Sequence, residues 1–243
     1  MAPRPDQDVT AGARTHRVRP QLDVTTILEA ALRLSGSGNP EPLTVRSLGN
    51  ELGADPTAIY RHFRDKDELV HAVLDRLVHR AVNAVDPDAG WRERMTQLAQ
   101  ATLQVFGEHP SIGAVGASTT TGGEGELAAI ELILVAMTDA GLGRQDSVRF
   151  YGVLSSYVIS FAAAQAAAAV AGDVDADPVW IGVHRSLQHS RHPAITAVRD
   201  ELEALRDHEV FESGVEVILD AVQARAAAST SKSALDGLDD LRA

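Results

Sequence analysis

Leu43 to Phe63 read L-T-V-R-S-L-G-N-E-L-G-A-D-P-T-A-I-Y-R-H-F, and these residues spell two short helices joined by a tight turn. Thr44 is an N-cap residue, and Leu43 just outside it can close onto Leu48 as a hydrophobic staple. Val45, Leu48 and Leu52 share one face of the helix that follows. Gly49 is small where the two helices cross, and Gly53 stands where the chain must turn, a position that calls for positive φ. Asp55 then caps a second helix whose first position is Pro56, where a missing N–H costs nothing. Ile59 and Phe63 point inward, which leaves Thr57, Ala58, Tyr60, Arg61 and His62 on the other faces. This is a helix-turn-helix pattern, and it points to DNA. An ordinary helical hairpin has the same staples and caps; what favours the motif is R-D-K-D-E-L at Arg64 to Leu69. There Asp65 and Glu68 form a capping box that starts another helix at once, with Lys66 at its N-terminus, where a phosphate can be held.

Upstream, Val24, Ile27, Leu28, Ala31 and Leu32 fall on one helix face, and S-G-S-G-N-P at Ser35 to Pro40 ends that helix. Three helices over residues 21–66 thus form a small homeodomain-like unit. Residues 1–20 are polar, with Arg4, Arg14, Arg17 and Arg19, and read as a flexible basic arm. Residues 67–227 read as a larger helical body. Its helices run on from Asp65 to the D-P-D-A-G at Asp86, then from Trp91 to about Glu108, with a short helix around Ser111 to Ala117. Further helices span Glu126–Ala140, Arg144–Ala171, Pro178–Gln188, Pro193–Leu205 and Asp207–Ala227. Residues 228–243 read as a disordered or weakly helical tail. The fold class is therefore all-α, with no strand alternation anywhere.

The 243 residues carry a net charge of −12, divided unevenly. Residues 1–66 hold 9 Lys and Arg against 8 Asp and Glu, whereas residues 67–243 hold 13 against 26. An acidic body behind a locally basic head disfavours DNA contact except through the head, although an acidic surface also serves solubility. The absence of cysteine rules out disulfides and thiolate metal sites and suits a cytoplasmic compartment. No apolar run of about 18 residues suggests a membrane span. No Gly-rich phosphate loop, G-x-S-x-G elbow or H-E-x-x-H motif suggests an enzyme, and no cofactor is expected. His71, Asp75 and His79 have metal-ligand spacing on one helix face, and His184, His189 and His192 cluster in sequence. Solvated helix faces explain both sets more cheaply, so no metal site is assigned.

Helix one, the T-V-R-S-L-G-N-E-L-G turn, the A-I-Y-R-H-F helix and the D-K-D-E-L start make residues 22–80 closely resemble the N-terminal domain of tetracycline-repressor-like (TetR) regulators. The body resembles that family more loosely, through W-R-E-R-M at Trp91, the His109-Pro110 stop, A-G-L at Ala140 and F-E-S-G-V-E-V-I-L-D-A-V at Phe211 to Val222. The resemblance implies a homodimer built by the last two long helices and a body cavity whose ligand changes the spacing of two DNA heads. On matching positions it makes Thr44 and Arg46 contacts at the start of the helix before the turn, and Thr57, Ala58 and Arg61 the base readers. Tyr60, His62 and Lys66 would hold phosphates. Arg61 has the reach for a bidentate bond to guanine, and Ala58 can lie against a thymine methyl. From the arm, Arg14, Arg17 and Arg19 are phosphate or minor-groove candidates, or merely solubilising charges.

In the body, F-A-A-A-Q-A-A-A-A-V-A from Phe161 lets a neighbouring helix approach closely, which suits either a dimer face or packing inside the same subunit; the resemblance favours the dimer, whose two-fold symmetry implies a palindromic operator. Leu103, Phe106, Met137, Phe150, Leu154, Tyr157, Trp180 and His184 are the candidate cavity residues, each of which could equally be plain core. The expectation is a ligand-responsive, dimeric, sequence-specific transcriptional regulator, a repressor released from double-stranded operator DNA by a small-molecule effector. The competing reading is an all-α carrier or enzyme that keeps its head as a relic.

Overall fold

In a computed structural model of the chain, the described residues are 22–36, 43–172 and 191–240, with side chains described as far as Ser229. All of the regular structure among them is helical. Arg14, Arg17, Arg19, Trp180, His184 and the Pro178–Gln188 helix lie outside these residues.

The head is built by its caps. Asp23 accepts from Thr26 N at 2.7 Å to start α1 (Val24–Leu34), which buries Ile27, Ala30 and Ala31. Thr44 and Ser47 cap α2 (Val45–Leu52) reciprocally, and Leu43 and Leu48 are buried in one core, as a staple requires. Gly53 ends α2 at φ 58°, a left-handed conformation that side chains with a Cβ adopt only at a cost. Asp55 then accepts from Thr57 N at 2.8 Å and starts α3 with Pro56 at its first position.

Regular α-helix covers only Pro56–Ile59, shorter than the A-I-Y-R-H-F reading suggests. The turn is carried on by bonds from Arg61 N to Ala58 O and from His62 N and Phe63 N to Ile59 O. It unwinds there because Asp65 must be extended, at φ −151°, to cap α4 (Lys66–Asn83) by accepting from Glu68 N. The Glu68 carboxylate reaches back to Arg64 N, one residue further out than in the usual capping box.

α4 leaves the head and becomes the first helix of the body, where it lies against α5 (Trp91–Glu108) and α7 (Glu124–Asp139). Between those two come the single turn α6 (Pro110–Gly113) and a 3₁₀ turn at Gly116–Ser118. α8 (Arg144–Val170) packs on α5, α6 and α7 through Leu154, Val158, Ala162 and Ala166. By length and hydropathy α8 could cross a bilayer, yet that stripe is spent on the body's own helices.

The segment read as one helix from Pro193 to Leu205 is two, α9 (Pro193–Ala197) and α10 (Arg199–Ala204), broken at Val198. The last helix, α11 (Asp207–Asp240), continues beyond Ala227 into the stretch read as a disordered or weakly helical tail, in agreement with the second alternative. The alanines there and the lack of proline offer nothing to stop it. Tyr157 holds α8 to α11 by donating its hydroxyl to Val210 O at 2.8 Å and stacking on Phe211 at 6.0 Å. Ion pairs Arg225–Asp146 and Arg92–Asp220 fasten α11 to α8 and α5.

Candidate nucleic-acid interface and body cavity

Eight of the DNA residues chosen from sequence, from Thr44 to Lys66, lie within the described part of the head. Thr44, Arg46, Thr57, Arg61, His62 and Lys66 are exposed, Tyr60 is 49% exposed and Ala58 is half-buried. Among the described residues Arg46, Arg61 and Lys66 form no ion pair. Arg33, Arg64, Arg80, Arg92, Arg94, Arg149 and Arg225 each hold a carboxylate. The head's candidate contacts thus keep their charge available to phosphates and bases, while those other arginines hold helices or neighbouring residues together. Thr57 also donates its hydroxyl to Asp55 at 2.6 Å, so it would meet DNA with its methyl group and lone pairs. The two Thr57 bonds, and more weakly the Arg61 charge, hold the Asp55 carboxyl below the usual carboxylate range, which keeps the α3 cap ionised.

One polar joint ties this head to the body, and a second fastens α4 to α7 within the body. At the first, Arg80 donates to His109 Nε2 at 3.0 Å, so the ring proton sits on Nδ1 and goes to Ser35 Oγ at 3.1 Å. Ser35 in turn donates to Leu32 O at the end of α1. Burial, and then the Arg80 charge, push the His109 pKa below its ordinary value, consistent with a neutral ring.

At the second joint Asp75 of α4 caps α7, whose own N-cap is Gly123 and offers no side chain. Asp75 accepts from Gly125 N and Glu126 N, each at 3.0 Å, and from Thr121 Oγ at 2.7 Å. A Cβ on Gly125 would stand 2.1 Å from Asp75 O, so glycine is what lets α7 start against the α4 backbone. Asp75, a member of the metal-spaced trio, is thereby engaged in a helix cap, and His79 Nδ1 pairs with Asn83. No group of three or more metal-binding side chains is assembled among the described residues.

Between α4, α5, α7 and α8 lie two lobes of one apolar cavity, of about 70 and 100 Å³, that share Val78, Phe106, Ala129, Ile133, Ser155 and Ile159. Of the residues picked from sequence, Phe106 and Leu154 line it. Leu103 and Phe150 pack on the core, Met137 is fully buried, and Tyr157 serves the α8–α11 contact. Thr119, Thr121, Glu126, Tyr151 and Ser155 supply its polar edge. The legible clue to that edge was a helix start, G-G-E-G, without a capping side chain of its own.

Comparison with known proteins agrees with this geometry over nearly the whole chain. Residues 27–73 match the N-terminal pattern of bacterial regulatory proteins of the tetR family, and residues 84–226 match the tetracycline repressor-like C-terminal domain. The chain belongs to the TetR family of bacterial transcriptional regulators. It is 26% identical over 225 residues to the HTH-type transcriptional repressor DrrR1 of Streptomyces coeruleorubidus, covering 89% of this chain and 83% of that one. It is also 26% identical over 209 residues to the class A tetracycline repressor from transposon 1721 of Escherichia coli, covering 84% and 92%. Its fold matches Streptomyces coelicolor ActR in complex with actinorhodin, with TM-score 0.69 and 20% identity, over 85% of this chain and 99% of ActR.

Proposed function

We propose that this protein is a cytoplasmic homodimeric repressor that reads a palindromic operator and is released from it by a small molecule. The observation that carries the reading is the capped helix-turn-helix itself, which leaves Arg46, Arg61 and Lys66 exposed and without an ion pair among the described residues.

Thr57, Ala58 and Arg61 are the base readers in this reading, Thr44 and Arg46 contacts at the start of α2, and Tyr60, His62 and Lys66 the phosphate holders, with Arg14 and Arg17 added from the arm. Dimerisation would use the outer faces of α8 and α11. Ser156, Ser160, Ala164 and Ala167 follow one another on the exposed side of α8, and Ser213, Val217, Ala221 and Ala224 on that of α11. Val217 is 67% exposed in the single chain. Such small-residue stripes let four helices close around a two-fold axis.

The effector would occupy the body cavity, whose lobes are well below the several hundred Å³ of a drug-sized site. Entry must therefore part the helices, α4 among them, and α4 begins in the head. A ligand that favours the parted arrangement shifts the equilibrium away from DNA, and one that binds both arrangements equally shifts nothing. That DrrR1 and the class A protein are named repressors, and that ActR was solved with actinorhodin, supports release by a small molecule. The function is read as binding and release without chemistry on the ligand.

Fluorescence anisotropy with DNA from immediately upstream of the coding sequence tests this. Binding to an inverted repeat with two protomers per site is expected. Binding there no tighter than to random duplex would count against autoregulation, and the same result on every genomic fragment would leave the relic head as the better account.

A further inference from the structure

The cavity of the body carries formal charge at one end only. Among the described residues no Lys, Arg or His lines either lobe, and Glu126, in the first turn of α7, is the one ionised side chain a bound molecule would meet. Its Oε2 accepts from Thr121 N and Gly122 N, each at 2.7 Å, and from Thr121 Oγ at 3.0 Å. These bonds fix the carboxylate against the 121–122 turn, and Oε1 has no hydrogen-bond partner among the described residues. The Thr121 hydroxyl also lies 2.7 Å from Asp75 Oδ1, so a single hydroxyl proton is set between two carboxylates. Neither carboxylate is in an ion pair with a cation among the described residues.

A charge at the edge of an apolar enclosure acts through a low dielectric, which attracts a cation and repels an anion far more than in water. We propose that the effector is a mainly apolar molecule bearing a protonated nitrogen, and that Glu126 is the residue that recognises it. This rests on the reading of the body as an effector-sensing domain. It also supplies the link to the head. A cation drawn to Glu126 Oε1 adds to a carboxylate that already holds the 121–122 turn through Oε2, and Asp75 of α4 holds the same turn through Thr121.

The test compares proflavine, a tricyclic cation, with 1-aminoanthracene, a neutral tricycle of similar size, by fluorescence titration of the full chain without DNA. Proflavine is expected to bind at least about tenfold more tightly, the effect of one charge-assisted hydrogen bond. Glu126→Gln keeps the shape and an acceptor for the turn, and should bring the two dyes to within about twofold by weakening proflavine alone. Ala129→Phe, which fills both lobes, should abolish binding of both and so place the dyes in the cavity. The proposal is overturned if the wild type shows no preference, if Glu126→Gln retains it or loses both dyes equally, or if Ala129→Phe leaves the preference intact. Failure of both dyes to bind the wild type would remove the sensor reading together with the proposal, whereas neutral binding without preference removes the proposal alone.

Discussion

Removing the Asp75 carboxylate should loosen the body at the point where α4 grips α7. Asp75→Ala leaves Gly125 N and Glu126 N without their acceptor and takes one partner from the Thr121 hydroxyl. An N-cap is worth about 1 kcal/mol, and bonds to a charged acceptor about 1.5–3 kcal/mol. Because Asp75 is only half-buried and water can replace part of what it provides, the expected cost is about 2–3 kcal/mol. For a chain of this size that lowers the melting temperature by roughly 4–12 °C. Asp75→Asn retains one acceptor oxygen and should fall between the two. Asp88, an exposed loop residue, supplies the control, with an expected change within about 0.5 kcal/mol on mutation to alanine. Circular dichroism melts at fixed protein concentration measure all three, with and without chelator, which should make no difference. If Asp75→Ala melted with the Asp88 control, the helix-cap reasoning would be wrong. If the chelator lowered the wild-type melt to that of the variant, the metal reading of His71, Asp75 and His79 would replace it.

Further outcomes follow from other parts of the molecule. The folded pKa of His109 is depressed, so its contribution to stability is present above the unfolded value of about 6.5 and is lost as pH falls below it toward the folded value. Melts of wild type and His109→Gln across that window should show a shallower acid loss in the variant, and identical slopes would mean the ring does not titrate in this way. Arg61→Ala should cost about 1–3 kcal/mol on the operator and relax one base position per half-site, while Lys66→Ala should weaken all sequences alike and lower the salt slope by about 1. Unchanged specificity in Arg61→Ala would mean α3 is not the reader. Ser160→Arg puts a charge in the middle of the small-residue stripe of α8 and should give a folded monomer by sedimentation, whereas an intact dimer would place the interface elsewhere.

The head was nearly complete in the sequence because its determinants are local. Thr44, Gly53, Asp55 and Asp65 each act on residues two to four positions away, and the structure finds them doing so. In the body α4, α5, α7 and α8 were legible from periodicity and breakers for the same reason. What the sequence did not disclose depends on contacts between distant residues. Asp75 read as one of three metal-spaced groups until α7 was seen resting on it, and Ser35, Arg80 and His109 have nothing in sequence to join them. The cavity shows the same limit, since apolar residues on α5, α7 and α8 look alike before the helices are assembled. Phe106 and Leu154 line the space, and Tyr157 turns instead to Val210.

The central claim, two-fold sequence-specific reading of DNA by this head, is tested most directly by selecting bound duplexes from a random pool with the purified protein. The account predicts enrichment of an inverted repeat with half-sites about one helical turn, or a multiple of it, apart. It also predicts that Arg61→Ala loses preference at one symmetric pair of positions within that repeat. A pool that stays random after repeated rounds, or that converges on a single asymmetric site, would contradict it.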